Sequence, residues 1–205
     1  MATQLEHYNA ALEILGETPL ASLTEARKPR YDLDRVWDRG FVDLVLSEGS
    51  WNFALRTSKI SFESGLEPAF GHSYAFTKPS DIMRLEAISG NERLGDPLTD
   101  YRTEAGYWYA DIPDIYVSYV SNGVDYGGTT TNWPKTFDRY VDAELALAIC
   151  RATSQSSTLY GEVAQIRGKA LSDAKALDGM AEAPKFFPQG RFVGARRGSR
   201  IGRFD

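Results

Sequence analysis

The residues of this chain with the most chemical reach are two histidines, one cysteine and a generous set of carboxylates. A serine or cysteine nucleophile needs a neighbouring base, and only His7 and His72 are there to serve. His72, in FGHSYAF beside a strand, reads as a structural or surface histidine, and His7, near the start of a helix, is expected to face solvent. Cys150 stands in the apolar run LALAICRA, the setting of a small buried residue rather than of a reactive thiol. One cysteine forms no internal disulfide, and with two histidines it makes a poor basis for a zinc site. Acid pairs occur at Asp111 and Asp114 in DIPD and at Asp100 and Glu104 in DYRTE. A glycosidase holds two carboxylates at a defined separation across a cleft, and pairs this common do not specify one; a solvated or pore-facing surface is the simpler expectation. GxSxG, HExxH, Walker, CxxC and GxGxxG signatures are all missing. The expectation is a protein that is not an enzyme and that uses neither metal nor cofactor.

The aromatic residues Trp51, Phe53, Tyr107, Trp108 and Tyr109 would suit a ligand platform, but such side chains also dominate cores and interfaces, and a core or subunit interface is expected. A second concentration lies in PKFFPQGRFVGARRGSRIGRFD, residues 184–205, where Gly190, Gly194, Gly198 and Gly202 recur among five arginines and four phenylalanines. This stretch has no helical apolar stripe. It holds six basic residues against Asp205, a net charge of +5, while residues 1–183 hold seventeen basic against twenty-seven acidic, a net charge of −10. An acidic body with a basic tail describes an extended arm that reaches for a separate partner. Arginine and phenylalanine in a glycine-rich arm also fit stacking on single-stranded nucleic acid, which stands as the alternative. The acidic body opposes general phosphate binding, since a groove that tracks phosphates should be basic.

The elements that must position these groups follow from periodicity. Leu5, Tyr8, Leu12 and Leu15 share one helical face, with Gly16 placed to stop the helix. A second helix is expected from about Pro29 to Ser47, with Leu33, Trp37, Phe41, Leu44 and Val45 inward and Gly49 just beyond. From Trp51 the pattern turns to strand in WNFALRTSKISF, in IMRLEAIS, where Met83, Leu85 and Ala87 alternate with Arg84, Glu86 and Ile88, and in two strands of GYWYADIPDIYVSYV, with Pro113 at an edge or bend. Helix returns with Asn132 as cap and a stripe of Phe137, Val141, Leu145, Ala148 and Ala152, then again through Leu159, Val163, Ile166, Ala170, Ala174 and Leu177 to near Gly179. The fold expected is α+β, an antiparallel helical bundle interrupted by an antiparallel β module. It divides into helices at 1–50, the β-rich insertion at 51–130, helices at 131–183 and the extended basic arm at 184–205. No apolar run approaches the ~18 residues of a membrane helix and the first residues lack the order of a signal peptide, so a soluble intracellular protein without membrane attachment is expected.

Three stretches carry a family resemblance: ALEILGETPLASL at 11–23, VLSEGSWNFALR at 45–56 and YAFTKPSDIMRLEAIS at 74–89. Leu15-Gly16-Glu17 with Pro19 and Leu23, then Trp51, then Pro79, Asp81 and Arg84 resemble an IGE-P-x-x-x-L pattern after a first helix, a tryptophan after a second, and a P-x-D-x-x-R element entering a strand. Together with the helices after NWPKTF, in this order and spacing from Ala11 to about Leu177, they resemble the head-to-tail adaptor of tailed bacteriophages, called tail tubular protein A in short-tailed phages. The resemblance implies a virion protein at the head-tail interface, built in the host cytoplasm as a homo-oligomeric ring, commonly of twelve subunits. Its partners would be the portal protein and the tail tube or nozzle protein, with viral DNA passing through the channel without specific binding. The portal-binding arm would anchor through Phe186, Phe187, Phe192 and Phe204 and pair through Arg191, Arg196, Arg197, Arg200 and Arg203. A head-completion adaptor of a long-tailed phage is the related alternative.

Overall fold

The computed structural model describes residues 2–68, 70–154 and 156–181. Helix α1, Gln4–Ile14, opens on a capping box, in which the Thr3 hydroxyl accepts from the Glu6 amide and Glu6 accepts from the Thr3 amide at 2.6 Å. It closes on Gly16 at φ +73°, where the amides of Glu17 and Gly16 donate to the carbonyls of Leu12 and Glu13. Tyr8 and Leu12 are buried as their spacing requires.

The single helix expected from about Pro29 to Ser47 is two helices, α2 at Lys28–Trp37 and α3 at Phe41–Ser47. Gly40 adopts φ +84°, a left-handed conformation that ends α2 and turns α3 toward the β strands. The turn changes which side is inward: Leu46 is buried, whereas Leu44, expected in the core, is 53% exposed.

The β region is two three-stranded antiparallel sheets. One has the order β1 (Leu55–Ser61), β6 (Asp114–Ser121), β3 (Ile82–Ser89), and the other β2 (Tyr74–Thr77), β5 (Tyr107–Ala110), β4 (Arg102–Glu104). The strand expected from Trp51 begins only at Leu55, after a 3-10 turn at Asn52–Ala54. Trp51 is committed to the helical core, its Nε1 donating to the Val45 carbonyl at 3.2 Å, and the Asn52 amide donates to the Asp178 carboxylate, so no ladder can form there. Register shifts within β3 break the simple alternation expected for it: Met83 packs on the helical core, Ile82 and Leu85 on the small β core. Pro113 falls in the bend just before β6, where its missing amide costs the sheet nothing.

Helix α4, Lys135–Thr153, begins after Pro134 rather than at Asn132, which belongs to a 3-10 turn. It is the central helix, touching α1, α2 and the long α5, Ser157–Met180. Packing from several sides buries Tyr140, Ala143, Ala146, Ile149 and Cys150 besides the expected Phe137, Val141 and Leu145, while Ala148 and Ala152 face out. On α5 only Val163 and Ala174 are buried; Ile166 and Leu177 of the expected stripe are 47% and 51% exposed. Two cores result. The larger lies among the helices, with Trp51, Phe137 and Tyr140 in mutual ring contact and Trp133 against Phe137, and the smaller gathers Phe76, Ile88, Trp108, Ala110, Ile115, Val117 and Tyr119 around the sheets. Strand β6 serves both, sending Ile115, Val117 and Tyr119 into the small core and Val120 into the large one. Among the described residues no helix is long and apolar enough to cross a membrane.

Candidate functional site

The arm residues Phe186, Phe187, Arg191, Phe192, Arg196, Arg197, Arg200, Arg203 and Phe204 lie outside the described residues. The groups screened for chemistry are divided among separate structural partners. His72 Nδ1 is 3.2 Å from Asp111, whose other oxygen accepts from the Ser73 amide and hydroxyl at 2.8 and 2.9 Å. Those Ser73 bonds, and then His72, hold the Asp111 carboxyl below the usual range. Asp114 instead accepts from the Ser61 hydroxyl at 2.6 Å and pairs with Lys59 at 3.0 Å, which lowers its pKa in that order of effect. Glu104 pairs with Arg102, and Asp100 is exposed. The aromatic set splits as well, since Trp51 belongs to the helical core, Trp108 to the β core, and Tyr107 and Tyr109 form a half-buried pair 6.4 Å apart.

His7 is the correction. It is buried, not solvent-facing, at 1% exposure, with its ring 6.2 Å from that of Trp37 and 5.4 Å from that of Trp133. Its Nδ1 lies 2.7 Å from Asp142 Oδ1, a hydrogen bond joining α1 to α4. Its Nε2 is 3.9 Å from Asp138 Oδ1, too long for a hydrogen bond, and both of those atoms are buried without a partner. Burial raises the pKa of both aspartates, and His7 pulls each part of the way back. Asp138 and Asp142, four apart, share one face of α4, but Lys135 and Arg139 flank them there, so the sequence does not mark that face as turned toward His7.

The P-x-D-x-x-R element is a clamp. Asp81 accepts from Arg56 at 2.8 Å, from the Tyr119 hydroxyl at 3.2 Å and closely from the Ser121 hydroxyl, tying the entry of β3 to β1 and β6. Burial pushes the Asp81 carboxyl up, but the bonds from Ser121 and Arg56 outweigh it and leave its pKa lowered. Burial and the neighbouring Asp81 charge push the Tyr119 phenol up to about 12. Arg84 reaches the Ser47 carbonyl at 3.3 Å, so the same element holds the β module against α3.

On the outer side of the helices a groove of about 650 Å³ runs between α1, α4 and α5, its apolar wall formed by Ile14, Ile166, Ala170 and Leu177. It shares Thr136 and Leu177 with a cavity of about 180 Å³ that reaches Trp51, Phe53 and Ala181. At the other end it shares Ala10 and Glu13 with a shallow region of about 560 Å³ along α1. The α5 end of this path is fixed, because the Asn52 amide donates to the Asp178 carboxylate at 3.0 Å and the Asn52 side chain donates to the Asp178 carbonyl at 2.7 Å. What this arrangement can do is hold an apolar segment; no group of three or more metal-ligating side chains accompanies it among the described residues. Comparison of the chain with protein-family models and with curated proteins finds no match in either.

Proposed function

We propose that this chain is a structural virion protein, a ring-forming adaptor that joins a portal protein to the tail tube or nozzle and continues the DNA channel. The observation that carries this reading is the anchoring of α5. Asp178 pins its last turn to Asn52, so the segment after Ala181, with six basic residues against two acidic, leaves an acidic body at a fixed point beside the junction of helices and β module. A rigid body with one strongly basic segment launched from a defined place suits a joint in which many copies present the same segment to one ring-shaped partner, and multivalency then makes weak single contacts durable. An acidic surface repeated around a ring would repel DNA phosphates and keep the channel from holding its cargo. The activity required is assembly rather than catalysis.

The experiment is mass measurement of the chain alone and mixed with candidate portal rings. The expected result is a complex of the chain with the portal that a chain truncated after Ala183 fails to make. Unchanged affinity of that truncation would overturn the assignment. Tight, steeply salt-dependent binding to single-stranded oligonucleotides, with none to portals, would replace it by the nucleic-acid reading.

A further inference from the structure

The path along the outside of α1, α4 and α5 begins where the described chain leaves off, since Ala181 lines the first of its three connected cavities. Twenty-four residues follow, 182–205. We propose that, before any partner takes it up, this segment docks in the groove of its own chain, its phenylalanines against Ile166 and Leu177 and its arginines along the acidic side of α1.

Three features select this occupant. The first is order. Ala181 itself lines the aromatic cavity of Trp51, Phe53 and Phe137, and the first large apolar side chains after it are Phe186 and Phe187, whose five-residue tether spans at most roughly 16 Å at ~3.3 Å per residue and so keeps them within reach of that cavity and of the adjoining Leu177. The second is charge. The three cavities are lined by six carboxylates, those of Glu6, Glu13, Glu17, Asp142, Asp173 and Asp178, against the cations Arg139 and Lys169. The segment carries the inverse, six cations and two carboxylates. Among the described residues the side-chain carboxylates of Glu13, Glu17 and Asp173 make no hydrogen bond or ion pair, which leaves them open to arginine. The third is exposure. Ile166, Leu177 and Met180 stand 47%, 51% and 77% exposed along one helix, an apolar strip whose burial would be favourable. Attachment at Ala181 supplies the remaining advantage, since a tethered segment meets its groove at high effective concentration and outcompetes a free one.

Limited trypsin digestion of the full chain tests this, because proteolysis tracks the population of the undocked segment. Cleavage after the segment's arginines is expected to be about tenfold faster in the variant Ile166→Ser/Leu177→Ser, and faster again at high salt, than in the parent at low salt. Both positions are substantially exposed, so the body is expected to keep its fold, checked by far-UV circular dichroism. The variant Phe186→Ser/Phe187→Ser leaves the body untouched and must show the same acceleration. Equal cleavage rates in the parent and in the Phe186→Ser/Phe187→Ser chain would overturn the proposal. Protection that disappears on dilution would also overturn it, since it would assign the groove to the segment of a second copy.

Discussion

The helical body and the β module are held together by different means. In the body, aromatic rings from distant parts of the chain meet around Phe137, which contacts Trp51 at 4.7 Å, Phe53 at 4.9 Å and Trp133 at 5.1 Å between ring centroids. In the β module seven buried residues make the core, β2 and β4 are four and three residues long, and a clamp centred on Asp81 closes the end nearest the helices. A large packed core resists local loss because its contacts are redundant, whereas a small core with polar clamps has single points of failure. The helical body is thus the platform and the β module the part expected to open first.

The two tryptophans give the largest effects and the most direct way to break that comparison. Trp51→Ala and Trp108→Ala each remove a fully buried side chain and should cost about 3–5 kcal/mol. Because Trp51 sits where the chain passes from helices to strands, its loss should lower the urea midpoint of helical and β signals together. Loss of Trp108 should bring hydrogen exchange in β5 and β6 ahead of that in α4. If Trp108→Ala instead shifted both regions equally, they would form one cooperative unit and the contrast would fail.

Next comes Arg167, which joins three helices by donating from Nε to Glu144 at 2.5 Å and from Nη2 to Glu48 at 2.6 Å, with its guanidinium over the Tyr140 ring. Arg167→Gln leaves two carboxylates without their cation. Partial solvent access at 23% exposure keeps the loss to roughly 2 kcal/mol, below that of a fully buried pair. The loss should appear as a lower thermal midpoint of the helical signal, with α5 exchanging faster than α1.

Acid should separate the regions in opposite directions. Asp81 is held below the ordinary carboxylate value, so its stabilisation is complete above that value and is lost as pH falls through the lowered one. Asp138 and Asp142 are raised by burial, so they favour the folded state at low pH and withdraw that support as pH rises from the ordinary value through their raised ones. Asp81→Asn should therefore cost about 1–2 kcal/mol at neutral pH and progressively less in acid, as the parent loses the same interaction. Equal destabilisation by Asp81→Asn at every pH would show that the clamp works by shape and not by charge.

The same contrast explains what could be read in advance. Helix α1 was legible because its stripe and the stop at Gly16 agree, and α5 because its period is long. Strand β4 was not, since all three of its residues are exposed and no alternation marks it; its existence depends on pairing with β5. The start of β1 was misplaced because Trp51 has strand propensity but serves the helical core, a tertiary demand invisible to local pattern. His7 was placed in solvent because nothing in its own neighbourhood reveals the carboxylate opposite, 135 positions along the chain.

Gly40 carries the smallest expected effect and the finest test of how the body is built. The apolar spacing from Leu33 to Val45 is that of one continuous helix, yet Gly40 sits at φ +84° and breaks it. A Cβ there would meet only Asp43 Oδ2, at 3.7 Å, so Gly40→Ala meets no steric obstacle and its cost is the left-handed backbone alone, about 1 kcal/mol. The break is worth that strain only if α3 gains more by lying against β3 and β6, with Leu46 buried, than by continuing α2. Gly40→Ala should then lower the urea midpoint slightly, with helix content and the order of unfolding unchanged. A rise in helix content with greater stability would mean instead that α2 and α3 had fused, and that the junction between body and module yields before the helix does.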